Sequence, residues 1–211
     1  MSYGDPIVPM QLADLLPKLV GKLPGCPPAA LRQQLADTAE AFCRDTGALR
    51  CIVGPFDFTE GECTYPIELP VPANVNVVHR VFIRRDEQHP SAYTLAQHSD
   101  CATEITFRFP PPRSTTQAVW AADVSMIPHL GCDRYPSSFL TQWSHAIIAG
   151  TLAALMEDNT KRWHNPALAA QNAKTYWRAK QDATFRRLKA ESPDGKLSFR
   201  DHTETFAGNF C

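Results

Sequence analysis

The amino-acid sequence predicts an α+β fold: a helical bundle formed by N- and C-terminal helices, an inserted antiparallel β region and an extended C-terminal tail. Three observations predict it. Apolar residues recur at helical spacing up to about residue 46 and again from about 137 to 190. Between about 48 and 126 the period shortens to alternation, cut by turns rich in Pro and Asp. After Ala190 the apolar stripe stops. The middle shows no alternation of strands with helices, which argues against a parallel nucleotide-binding sheet. The expected organisation is a single domain over 1–190, with helices at about 11–46 and 137–190 and β structure at about 48–126. Residues 191–211 follow as a partner-docking tail.

The elements follow in order. Residues 11–20 read as a short helix with Leu12, Leu15, Leu16 and Leu19 near one face, kinked at Pro17. "GKLPGCPP" ends it. Pro28 suits the first turn of a second helix, in which Leu31, Leu35, Ala39, Phe42 and Cys43 recur at helical spacing up to about Arg44. The Asp45–Gly47 segment stops it. Five strand candidates come next. They are "LRCIVG", "CTYPIELPVP" (Tyr65, Ile67, Leu69 on one face), "VNVVHRVFIRR" (Val75, Val77, His79, Val81, Ile83 on one face), "EITFRFP" (Ile105, Phe107, Phe109) and "QAVWAADVSMIP". "HLGCDRYPSS" reads as a loop, with Ser137 as N-cap of a third helix reaching about Met156. Leu140, Trp143, Ile147, Gly150 and Ala154 form one stripe of it, and Ile148, Leu152 and Leu155 a second. Such a helix is expected to be buried on several sides. Asn165 caps a fourth helix, Pro166 opens it, and Ala169, Ala173, Tyr176, Ala179 and Ala183 follow one face. Trp143, Ile147, Gly150, Ala173, Tyr176 and Trp177 are the expected packing residues of the bundle or of subunit contacts.

Composition narrows the function classes. The chain has 211 residues, 44% of them hydrophobic, enough for a sizeable core, and a net charge of −1, which disfavours a globally basic nucleic-acid binder. Its 18 prolines cluster at Pro66, Pro70 and Pro72 and at Pro110–Pro112, marking turns and edge strands. The N-terminal segment MSYGDPIVPM lacks the basic and apolar regions of a signal peptide, and the apolar run Ala146–Met156 is shorter than a membrane span, so no membrane role is expected.

A search for chemistry finds little. The seven cysteines include no CxxC pair, and their odd number leaves at least one thiol free in a monomer or paired with another chain. Reduced, mostly buried thiols are the simplest reading. His79 and His98 are potential partners of Cys63 and Cys101, but no nucleophile-elbow or HExxH motif accompanies them. "HSDC" (98–101) is too short a ligand cluster to specify a metal and reads as a loop, and Asp57, Glu60 and Glu62 read as turn-forming and solubilising. No catalytic residue, metal or cofactor is expected.

Two features point to binding instead. The fourth helix carries Lys174, Arg178, Lys180, Arg186, Arg187 and Lys189 against Asp182 alone over its last sixteen positions. The plain reading is a solvated face with cations favoured by the helix dipole. The functional reading makes Lys174, Arg178, Arg186, Arg187 and Lys189 a patch for an acidic partner or for a DNA passage. The tail spaces Phe199, Phe206 and Phe210 through polar residues. Such rings fold back on their own domain or anchor in a partner, each contributing on the order of 2 kcal/mol, and three in so short a stretch favour anchoring.

"DLLPKLVGKLPGCPPAALRQQLADTAEAFCRDTGALR" resembles the N-terminal helices and turn of proteins from tailed bacteriophages. "IIAGTLAALMEDNTKRWHNPALAAQNAKTYWRA", with its Trp163-His164-Asn165-Pro166 junction, resembles the C-terminal helix pair of the same proteins. They are the head-to-tail connectors called adaptors or tail tubular proteins A. The resemblance spans about the first quarter and last third of the chain; the β region matches only in type. It implies a structural virion protein made in the bacterial host cytoplasm and placed in the neck. There a homo-oligomeric ring, usually of twelve copies, sits below the portal protein, meets the next neck or tail protein and continues the channel through which DNA is ejected, without sequence-specific DNA binding. It implies that the tail reaches onto the portal, and it leaves disulfides between neighbours open, Cys211 being the candidate. Two alternatives stand beside it: another neck component, such as a stopper or tail-completion protein, and a small Cys/His-dependent hydrolase.

Overall fold

The computed structural model describes residues 10–59, 61–69, 73–84, 93–95, 98–101, 104–107, 119–129 and 134–190, with backbone only at 84, 93–95, 98–101 and 190. Phe199, Phe206, Phe210 and Cys211 lie outside them. The fold is mixed α and β. In chain order the elements are β1 (Met10–Gln11), a 3-10 turn (Leu12–Leu15), α1 (Leu16–Val20), α2 (Pro28–Thr46), β2 (Arg50–Asp57), β3 (Thr64–Pro66) and β4 (Ala73–Arg84). Then come β5 (Tyr93–Leu95), β6 (His98–Cys101), β7 (Glu104–Phe107), β8 (Val119–Pro128), β9 (Arg134–Tyr135), α3 (Ser137–Glu157) and α4 (Pro166–Ala190). They divide into two compact units: a helical one from 10–48 with 128–190, and a β unit from 49–127.

In the helical unit, local chemistry sets the helix ends. Pro27 is extended and Pro28 opens α2. Gly47, at φ 62°, closes it in the left-handed conformation and donates its N–H to Cys43 O at 2.9 Å. Pro17 sits in the first turn of α1, where its missing N–H costs nothing, so it starts a new helix after the 3-10 turn rather than kinking a continuous one. Pro136, not Ser137, occupies the cap of α3; Ser137 is its first residue and makes no capping bond. Asn165 does cap α4, its Oδ1 accepting the Leu168 N–H at 3.1 Å. The junction before it returns the unpaired carbonyls at the end of α3. Trp163 Nε1 donates to Leu155 O at 3.0 Å, the Asn165 N–H to Met156 O at 3.0 Å, and His164 Nδ1 lies 3.0 Å from the same oxygen. Asp158 starts that turn by accepting the Thr160 hydroxyl and N–H, which holds its carboxyl below the usual range.

In the β unit, one sheet runs β2-β8-β4-β5 and another β3-β7-β6; the β2–β8, β3–β7, β4–β5 and β6–β7 pairs are antiparallel. Interior strand β8 is buried along nearly its whole length, which explains why "VWAADVSMIP" does not alternate. Trp120 lies at the centre of an aromatic cluster, with ring centroids 4.7 Å from Phe56, 5.8 Å from Tyr65 and 5.9 Å from Phe107. Beside it β2 bulges between Val53 and Phe56. Gly54 takes φ 103° there, and a Cβ on it would lie 2.8 Å from Trp120 O. Arg50 and Asp123 form a two-point ion pair across β2 and β8.

Three expectations for the β region need correction. The buried positions of β4 are Val78, Arg80, Val81 and Phe82, while Val77 faces solvent. The strand carries apolar residues on both faces, and the consecutive buried residues Arg80, Val81 and Phe82 show that both faces are covered there, so alternation alone does not mark the buried positions. Among the described residues of "CTYPIELPVP", Thr64–Pro66 is the strand. His98–Cys101 is strand β6, not a loop, because its backbone pairs with Glu104–Phe107.

Candidate interaction surface

The helical unit is built around a seam where α2, α3 and α4 meet. Phe42 of α2 is fully buried, with ring centroids 5.3 Å from Trp143, 6.4 Å from Phe139 and 6.0 Å from Tyr176. Gly150 of α3 lies where side chains of α2 and α4 press on the α3 backbone. A Cβ there would meet Thr38 Cγ2 at 2.6 Å and the Tyr176 ring at 2.8 Å. The Tyr176 hydroxyl donates to Thr38 O at 3.4 Å, and burial, with Asp45 nearby, pushes its pKa up to about 12. Thr38 and Thr151 satisfy their hydroxyls on the preceding helical turn, at Gln34 O and Ile147 O, so both pack as small apolar bodies.

Gly150→Ala is therefore expected to destabilise despite Ala's better helix propensity. The propensity gain is about 1 kcal/mol, and the overlap with two neighbours outweighs it, for a net loss of roughly 1–2 kcal/mol. Thr38→Ser, which deletes the clashing methyl, is expected to recover part of that loss in the double variant. Urea unfolding midpoints of the four proteins measure this; a Gly150→Ala protein as stable as the parent refutes the close approach.

The expected packing residues are distributed as follows. Trp143, Ile147 and Gly150 are buried in the seam, and Tyr176 is half-buried against it. Ala169, Ala179 and Ala183 are buried on the inner face of α4, but Ala173 is exposed. At 100° per residue it sits some 60° from Tyr176, on the edge facing solvent. Trp177, one residue past Tyr176, points outward and is 60% exposed.

Geometry also divides the basic patch. Lys180 pairs with Asp45 and lies over the Tyr176 ring. Arg186 pairs with Asp182 at 2.9 Å and stacks over Trp143 at 5.5 Å, covering the seam. Arg187 is half-buried and engaged. Lys174, Arg178 and Lys189 are exposed and have no ion-pair partner among the described residues. They share their face with Trp177, Phe185 and Leu188, all more than half exposed. Phe185 and Leu188 were missed as surface residues in the sequence. Their angular position reveals them: both fall within 80° of Trp177 around the helix and opposite the alanine stripe.

The groups that invite a catalytic reading are placed differently. Cys26, Cys43, Cys51 and Cys63 are free thiols. Burial pushes the Cys43 thiol up, and burial with the nearby Asp123 pushes Cys51 up to about 12, so both stay protonated near neutral pH and are poor nucleophiles. Among the described residues no three His, Cys, Asp or Glu side chains are grouped to hold a metal. A groove of about 580 Å³ opens in the helical unit, lined by Lys18, Lys22, His145, Ile148, Leu152 and Asn172 among others. At 21 residues α3 has the length and composition of a membrane-crossing helix, and 61% of an 18-residue apolar window within it is buried inside the protein.

No known protein family and no curated protein matches this chain. The candidate surface therefore rests on its own geometry: a solvent-facing α4 stripe of apolar and cationic side chains, held in orientation by the seam behind it.

Proposed function

We propose that this protein is a structural connector of a tailed-bacteriophage neck, a ring subunit that sits below the portal, joins capsid to tail and continues the DNA channel. In this reading the helices from the two ends of the chain form a bundle, the β unit is inserted in it, and residues 191–211 dock on the portal. The protein acts through shape and adhesive surface and uses no catalytic group or cofactor. The observation that carries the reading is the outward face of α4, where Trp177, Phe185 and Leu188 are exposed together beside three cations without ion-pair partners among the described residues. An apolar patch of that kind on a rigidly packed helix favours macromolecular contact over solvation. The chain order, helices at both ends around a β unit, supports it further.

The test removes residues 192–211. Portal association, read by co-sedimentation with portal assemblies, is expected to be lost, while the circular dichroism spectrum and unfolding midpoint stay within error of the full chain. Full portal binding by the truncated, folded protein contradicts the docking role of the tail.

A further inference from the structure

We infer that the exposed face of α4 docks on the edge-strand face of the β unit in a second copy of this chain, a head-to-tail contact between unlike surfaces. The inference deepens the ring reading by naming the two surfaces, and it stands on their charge and shape.

The first surface is the outer face of α4. Trp177, Phe185 and Leu188 are 60%, 66% and 54% exposed. Lys174 and Lys189 bracket them, about 22 Å apart at the helical rise, and Arg178 lies between. Asp182, the only carboxylate of α4, is already paired with Arg186.

The second surface is β3 and its flanks. Among the described residues β3 is the outer strand of its sheet, next to β7. Glu62 precedes it, Glu68 follows it, and Glu104 lies on β7 in register with Pro66. All three carboxylates are exposed and have no ion-pair partner among the described residues. Half-exposed Ile67 and Leu69 lie beside them. Glu62 and Glu68 span at most about 20 Å of chain, within the length between the two lysines on α4. Pro66 and the carboxylates also discourage addition of another strand at this edge, so a helix is the better occupant.

Charge is divided between the units in the same sense. Residues 49–127 hold nine carboxylates and six Lys or Arg, whereas 10–48 with 128–190 hold eight carboxylates and thirteen Lys or Arg. Self-pairing of α4 across a two-fold axis is disfavoured, because it sets Lys174, Arg178 and Lys189 of both copies against one another. Duplex DNA satisfies the cations but leaves Phe185 and Leu188 without an apolar counterpart. A β3 surface of opposite charge with apolar side chains between its carboxylates meets both requirements.

The experiment uses the full chain. One variant carries Lys174→Glu, Arg178→Glu and Lys189→Glu; the other carries Glu62→Lys, Glu68→Lys and Glu104→Lys. All six positions are exposed, so both are expected to fold, as circular dichroism will check. Sedimentation equilibrium up to near-millimolar protein is expected to show self-association of the parent, at least ten-fold weaker association of each variant, and recovery when the two variants are mixed. Carbodiimide cross-linking of a mixture of isotopically light and heavy parent chains is expected to give light–heavy links between α4 lysines and Glu62, Glu68 or Glu104. A parent that stays monomeric overturns the inference, as do variants that associate like the parent. So does an α4 variant that loses retention on duplex DNA or anionic vesicles while the β3 variant associates normally. Portal docking by the tail is read separately, so failure of this contact and failure of the portal reading give different results.

Discussion

Phe42→Ala is expected to lower the stability of the helical unit by about 4 kcal/mol, measured by urea unfolding followed by helical circular dichroism. The ring is fully buried and meets Phe139, Trp143 and Tyr176, so three aromatic contacts, drawn from α3 and α4, end on one side chain of α2. Truncation removes the transfer free energy of the ring and leaves a cavity that rigid neighbours fill poorly; for buried Phe the cost is about 3–5 kcal/mol. Tilted and edge-on ring contacts add about 0.5–1.5 kcal/mol each beyond area. Phe42→Leu refills most of the volume and is expected to cost about half as much. A Phe42→Ala loss below 1 kcal/mol rules out the seam as the organising core of this unit.

Asp123→Ala is expected to cost about 3 kcal/mol in the β unit, visible as a lower unfolding midpoint by tryptophan fluorescence. Asp123 is buried, and its two oxygens accept from Arg50 Nε at 3.1 Å and from Arg50 Nη2. Removing the carboxylate leaves a largely buried guanidinium without its two-point partner, and breaking such a pair from one side costs about 3–5 kcal/mol. The sign reverses for the pair as a whole. Arg50→Met with Asp123→Leu is expected to recover most of the loss, because apolar residues of similar volume avoid the desolvation of both ions. If the double variant is as unstable as Asp123→Ala alone, the loss comes from something other than an uncompensated charge.

The α4 surface shows where sequence reading succeeds and where it stops. Its small-residue stripe was legible because helical spacing alone places Ala169, Tyr176, Ala179 and Ala183 together. Helical angle already separates Lys174, Arg178 and Lys189, on the Trp177 side, from Lys180, Arg186 and Arg187, and Asp182 lies one turn from Arg186, but the partners of Lys180 and Arg186 on other elements were not legible. Asp45, 135 positions away in sequence, takes Lys180, and Trp143 receives Arg186. Gly150 is a similar case. Its place in the α3 stripe was readable, but the close approach of Thr38 and Tyr176 was not.

By itself the sequence determined the number, order and approximate limits of the four helices, the antiparallel character of the middle region, and the burial of α3. These follow from local spacing, proline and glycine stereochemistry and apolar content, which act within a few residues. Only the tertiary structure decided which residues of β4 are buried, that His98–Cys101 pairs as a strand, and that Asp45 meets Lys180 while Thr38 and Tyr176 close on Gly150. Each of these depends on which distant segment comes to lie alongside, through packing and hydrogen bonding between residues far apart in the chain.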